Sequence, residues 1–275
     1  MATIPKITLD EWQKAVLPWL RKCEFAPSKL SNVTLLSYFF WDDDRIETKF
    51  YTVECAFLCA FRSWGAGMPA TIVTNRETKT MRAFCARYGV KLQIDPVLKN
   101  GLRGLSIDCI RNLHKRFTTE YVVILQTDGM PVRPGLEAFL GKWDYVGAPW
   151  PGHGNWKDRF VYTRYAVGNG GFCLRSNRIC RAASKAYERF CRHLPYSILL
   201  CDDIFYCKTM PFLSREWRNS FHYPSREEAL LFSVEYVPIG LTLEFPPLGF
   251  HSESGFRNYA THFGIPFAKE AGIVT

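Results

Sequence analysis

Apolar positions along the chain fall into short blocks divided by turn residues, and their spacing changes near residue 129. The run Val33 to Phe40 predicts a strand that ends in the acidic turn Asp42, Asp43, Asp44. A helix is expected from about Thr52 to Trp64, then a short buried strand Ala70 to Thr74 and a helix from Glu77 to Tyr88 stopped by Gly89. Val90 to Ile94 predicts a third strand, Ser106 to Phe117 a helix, and Tyr121 to Leu125 the most strand-like segment of all. This alternation predicts an α/β fold, a doubly wound, mostly parallel sheet with helices on both faces.

Beyond Gly129 the alternation gives way to a loop-rich half marked by Pro131, Pro134, Pro149 and Pro151. It predicts one long helix, Asn177 to His193, and shorter ones near Asp202 to Lys208 and Ser225 to Phe232, with no strong pattern in the tail. No repeat, low-complexity tract or linker divides the chain. We expect residues 1–30 to be an extension packed on the core and residues 31–275 to form one domain.

Composition narrows the function. With 47% hydrophobic and 15% aromatic residues the chain is globular. No stretch approaches the roughly 18 uninterrupted apolar residues of a membrane-spanning helix, and Met1 to Trp12, with Asp10 and Glu11, lacks the apolar core of an export signal. Cytoplasmic location is the expectation, with peripheral membrane contact left open. The 35 basic against 26 acidic residues give +9, which favours an anionic partner. The basic residues are scattered and no zinc-finger or RNP-like pattern is present, so a phosphorylated small ligand is expected rather than nucleic acid. Ten cysteines without a CxxC pair are expected to be free, buried thiols.

Ligands of open α/β sheets bind beyond the carboxyl ends of the strands. Gln126, Thr127, Asp128 and Gly129 stand there, after the most apolar strand, and Asp128 suits a divalent cation that bridges phosphate oxygens; the same Asp-Gly pair is also a common turn. Asp42 to Asp44 can hold a metal or cap a helix, and Arg45 beside them can meet a phosphate or a base. Gly168, Asn169, Gly170, Gly171 and Phe172 permit close backbone approach of a ligand, or form a hairpin turn. Asp202 and Asp203 open a short helix, one as a cap and one as a general base. His251 can complete a metal site with Asp128 or be structural. Trp150, His153 and Trp156 lie in an exposed-looking loop where rings can cover sugar faces, or belong to the core.

Together YVVILQTDG, WDYVGAPWP, VGNGGFCLRS, CDDIFYC and LGFHS, in this order across about residues 30 to 255, resemble the motif set of a glycosyltransferase-A-like family, the DUF5672 group of sugar transferases. The resemblance implies a glycosyltransferase-A-like fold, Rossmann-like, with a nucleotide-binding half (31–128) and an acceptor-side half (129–275). It implies that Asp128 and His251 bind a divalent cation, Mn²⁺ or Mg²⁺, and that Arg45, Gln126, Thr127, Asp128 and Gly129 meet the donor. Gly168 to Phe172 and Asp202 would line the donor and acceptor cleft, with Asp203 the base of inverting members and Trp150, His153 and Trp156 on the acceptor side. Gln126 replaces the first carboxylate of the family's Asp-x-Asp, which leaves metal-independent activity open. The expected activity is transfer of a sugar from a nucleotide-sugar donor, with UDP preferred, to a hydroxyl of a glycan or other acceptor. The alternative is a catalytically silent carbohydrate-binding or scaffold protein of the same fold.

Overall fold

A computed structural model describes residues 7–41, 43–96, 98, 101–151, 167–192 and 201–273. Strands β1 (Val33–Phe39), β2 (Ala70–Thr74), β3 (Lys91–Ile94) and β4 (Tyr121–Leu125) pair in parallel in the order β3-β2-β1-β4. The sheet continues through β7 (Phe172–Ser176) to β6 (Tyr145–Gly147), and β7 runs antiparallel to both neighbours. The glycine-rich motif therefore feeds a fully buried strand inside the sheet, not a surface hairpin. A second, small sheet pairs β5 (Gly129–Pro131) with β9 (Gly249–His251), and β9 with β8 (Ser233–Val234).

Every residue of β1, β2 and β4 is buried, because both faces are covered. Alternation along the strands divides the core in two: Val33, Leu35, Val123 and Leu125 face one cluster, Leu36, Tyr38, Val122 and Ile124 the other. Helices α2 (Arg45–Trp64) and α3 (Lys79–Tyr88) fill the first cluster; α4 (Gly101–Arg111) and α5 (Asn177–Ala186) fill the second. Helix α5 continues into wider π-helical turns, Tyr187–Cys191. After Cys201 a helical run made of Asp202–Ile204, Phe205–Thr209 and Met210–Leu213, here α6, packs on the same face.

Several boundaries differ from expectation, each for a local reason. Helix α2 starts at Arg45, not Thr52, because its first turns carry exposed polar residues that hide the apolar period. Helix α4 likewise begins at Gly101 and is followed, after Asn112, by a separate turn Leu113–Arg116. Gly89 does end α3, in the left-handed conformation at φ 67°. Helix α7 (Arg226–Phe232) begins with a capping box in which Ser225 and Glu228 bond each other's backbone N–H. The tail, read as patternless, forms α8 (Ser252–Phe263) and α9 (Ala268–Ala271).

The amino-terminal segment contains a helix, α1 (Leu9–Leu20), that the pattern reading overlooks. Thr8 and Glu11 close a capping box, and Trp12, Val16, Leu17 and Leu20 present one buried face. Trp12 is fully buried against Phe250 and Phe256, and its indole N–H donates to the Pro266 carbonyl at 2.8 Å. All ten cysteines are free, eight of them buried, and only Cys201 is exposed. Among the described residues no helix is long and apolar enough to cross a membrane.

Candidate functional site

The carboxyl ends of β1 and β4 open onto a cavity of about 370 Å³ lined by Tyr38, Phe40, Trp41, Arg45, Gln126 and Thr127, among others. Three residues expected at the donor thus share one cavity. The Arg45 guanidinium lies 4.6 Å from the Trp41 ring centre and 2.8 Å from Asp43 Oδ2. Asp43 also accepts the backbone N–H of Arg45 at 2.9 Å, so this carboxylate serves the start of α2; Asp42 lies outside the described residues. Behind the cavity the Tyr38 hydroxyl donates to the fully buried Asp108 at 2.8 Å, and Arg116 grips the same carboxylate at 2.7 and 3.0 Å. The sequence reading names neither Asp108 nor Arg116, which pair through a buried carboxylate.

The turn after β4 is held from three sides. Gln126 N–H donates to the Gly171 carbonyl at 2.9 Å, Gln13 of α1 donates to the Thr127 carbonyl at 2.7 Å, and Ser252 N–H donates to the Asp128 carbonyl at 2.9 Å. Ser252 takes a left-handed φ of 68° to make that bond, a conformation costing about 1 kcal/mol or more for a residue other than glycine. The antiparallel pairing of β5 and β9 sets Gly129 opposite His251, which brings Asp128 alongside the imidazole. His251 Nε2 lies 3.4 Å from Asp128 Oδ1, and Glu235 Oε1 lies 3.7 Å from Nδ1. That second distance exceeds hydrogen-bond range, so Nδ1 is buried without a hydrogen-bond partner. Burial opposes charge on this ring, but the Asp128 and Glu235 carboxylates outweigh it and raise the imidazole to about 9. Burial likewise opposes charge on Asp128, and the neighbouring imidazolium holds its carboxyl below the usual value.

The second half of the site is built on Arg175 of β7. Its guanidinium is fully buried against the Tyr145 and Tyr206 rings, 5.1 and 4.5 Å from their centres, and donates to Asp202 Oδ2 at 2.6 Å. Asp202 is thereby the structural partner of the pair. Asp203, next in sequence, accepts the Ile204 N–H at 2.7 Å. Burial first, and the adjacent Asp202 carboxylate second, push the Asp203 carboxyl up to about 7.

The glycine motif joins the two halves. A Cβ on Gly170 would stand 3.3 Å from Arg175 Nη2 and 3.5 Å from both Asp202 Oδ2 and Asp203 Cβ, whereas one on Gly171 would overlap the His251 ring. The carboxylate pair and the imidazole therefore press on consecutive residues, whose Cα atoms are about 3.8 Å apart. Asn169 orients the motif: its Oδ1 accepts Gly171 N–H at 3.1 Å and its Nδ2 donates to Glu235. Gly171→Ala is expected to displace His251 and to cost about 1–3 kcal/mol of stability, read as a lower urea midpoint together with weaker nucleotide binding.

Some expected roles are corrected by position. Phe172 is fully buried and stacks on Phe232 at 4.8 Å, so it belongs to the core rather than the cleft. Gly129 allows β5 to pass the Gly171 backbone, where a Cβ would collide, which makes its role one of packing. Trp150 is buried at 6% exposure with its ring over Gly168, so its faces are not open to a sugar. His153 and Trp156 lie outside the described residues. Sequence reasoning missed Arg175, Glu235 and Gln13, which act through contacts between segments far apart in the chain.

A family model described as "Protein of unknown function (DUF5672)" matches residues 107–251, just over half of the chain, and spans β4, the glycine motif, the Asp202–Asp203 pair and His251. The chain belongs to the DUF5672 family. No curated protein matches this DUF5672 member. Among solved structures it is similar to the mannosyltransferase PcManGT from Pyrobaculum calidifontis, solved in complex with GDP-Man and Mn²⁺, at 15% identity and a TM-score of 0.38. That match covers 74% of this chain and 59% of the other, so the chain spans less than two thirds of that protein's length.

Proposed function

We propose that this DUF5672 protein transfers a sugar from a nucleotide-sugar donor to a hydroxyl acceptor with inversion at the sugar carbon. The observation that carries the reading is the placement of Asp203, a carboxyl raised to about 7, one residue along the glycine motif from the Asp128 and His251 pair. A base with this proton affinity takes a proton from a hydroxyl near neutral pH more effectively than an ordinary carboxylate. The cavity with Arg45, Gln126 and Thr127 would receive the nucleotide, Arg45 adding positive charge near the diphosphate.

Asp128 and His251 fit a cation of the Mn²⁺ or Mg²⁺ kind. They offer one carboxylate oxygen and, once the imidazolium gives up its proton to the incoming ion, one imidazole nitrogen 3.4 Å away, with the Glu235 carboxylate 3.7 Å behind Nδ1. Among the described residues no group of three His, Cys, Asp or Glu side chains makes a closed metal site. Diphosphate oxygens and water would complete the coordination. The bound ion would offset charge on the leaving diphosphate. Arg175 would keep Asp202 paired and so leave Asp203 as the carboxylate available to the acceptor.

Calorimetric titration with UDP, GDP and CDP, each with Mn²⁺ and with EDTA, tests this reading. One nucleotide is expected to bind at least about tenfold more tightly with Mn²⁺, and His251→Gln to remove that difference. Absence of binding by all three would transfer weight to a catalytically silent protein of the same fold.

A further inference from the structure

Helix α7 and the segment joining β8 to β9 enclose a groove of about 420 Å³ lined by none of the residues assigned above. Its apolar lining includes Leu230, Leu231, Leu241, Leu243 and Phe245. Leu231 is 43% and Phe245 65% exposed. Two of the eight exposed large apolar side chains among the described residues thus line this one groove. An apolar patch of this kind with a polar rim marks an interaction surface.

Charge limits what can occupy it. The chain as a whole carries +9, yet the titratable residues lining this groove are Glu227, Glu228 and Glu244. Lys142 holds Glu228 at 2.8 Å, and nearby Arg133 donates to the Pro246 carbonyl. Glu227 and Glu244 have no ion-pair partner among the described residues. A two-fold contact with a second copy through this face would set the acidic rim against itself. An anionic surface would be repelled in the same way.

We infer that this groove docks a basic amphipathic segment of a partner polypeptide, whose apolar side chains cover Leu231 and Phe245 while lysines or arginines meet Glu227 and Glu244. The inference is independent of the proposed catalysis, since no residue of the candidate site takes part in it.

The test uses the full chain and a fluorescent amphipathic peptide of leucine and lysine, about 18 residues long, with a Leu/Glu peptide of the same pattern and a shuffled Leu/Lys peptide as controls. Anisotropy should report binding of the amphipathic Leu/Lys peptide alone, weakening with added salt. Phe245→Asp and the pair Glu227→Lys, Glu244→Lys should each weaken it by at least about tenfold without lowering the melting temperature. Leu231→Asp serves as a second apolar variant should Phe245→Asp fold poorly. Equal binding by the variants, binding of the Leu/Glu peptide, or no binding at all would overturn the inference. So would sedimentation showing a self-associated chain that Phe245→Asp dissociates, because a second copy would then be the occupant.

Discussion

Asp203→Asn should lower sugar transfer by about 10²- to 10⁴-fold, the usual contribution of a general base, while leaving nucleotide affinity within about twofold of the unsubstituted protein. The carboxylate stands at Gly170 rather than in the cavity with Arg45 and Gln126, so its loss removes proton transfer and not donor contacts. The wild-type rate should rise with pH and level off above about 7, where the Asp203 carboxyl has lost its proton. The same group predicts an opposite change in stability. A carboxyl whose folded value lies above its unfolded one binds its proton more tightly when folded, so stability falls as pH rises from about 4 through 7. Asp203→Asn removes that penalty and keeps an oxygen for the Ile204 N–H, and a gain of about 1–2 kcal/mol at pH 8 is expected from urea unfolding. Equal loss of turnover, nucleotide affinity and stability would mean that Asp203 is structural.

The second large effect concerns Arg175. Arg175→Met should cost about 3–5 kcal/mol, since it leaves the Asp202 carboxylate buried without its counter-ion. The substitution also removes the guanidinium's contact with the Tyr145 and Tyr206 rings, worth about 0.5–2 kcal/mol. Adding Asp202→Asn should restore a large part of the loss, because no unpaired charge then remains in the core. A single-variant loss below about 1 kcal/mol would show that the pair contributes little to the fold.

The strands were legible wherever burial on both faces makes a continuous apolar run. Tyr121–Leu125 and Ala70–Thr74 lie where their sequences place them, and Gly89 and Ser225 mark helix ends through their own backbone chemistry. Direction was less legible: nothing in Phe172–Ser176 distinguishes an antiparallel strand from a parallel one, since the pairing partner decides it. Helix α1 did carry a signal, Thr8 and Glu11 ahead of an apolar stripe, but its charged first turn resembles a leader. Helix α8 presents only Gly255, Phe256, Tyr259 and Ala260 to the core, too sparse a period to stand out.

Within the candidate site, Asp128, His251 and Asp203 were accessible because each sits in a short motif at a strand or helix end. The pairing of His251 with Asp128 was expected, but the placement of Asp203 beside them was not, because it depends on two consecutive glycines without side chains between them. Arg175 and Glu235 look in sequence like isolated charges in apolar surroundings. Only the folded chain supplies the Asp202 and His251 that give them meaning.

The most direct test of the account is donor breakdown followed by NMR. The protein would be incubated with UDP-, GDP- and CDP-sugars in the presence of Mn²⁺, with water or a simple sugar as acceptor. We expect one donor to release its nucleoside diphosphate and to give a product of inverted anomeric configuration, with release suppressed in Asp203→Asn. Absence of release from every donor, or release that Asp203→Asn leaves unchanged, would contradict the assignment of Asp203 as the base of a glycosyl transfer.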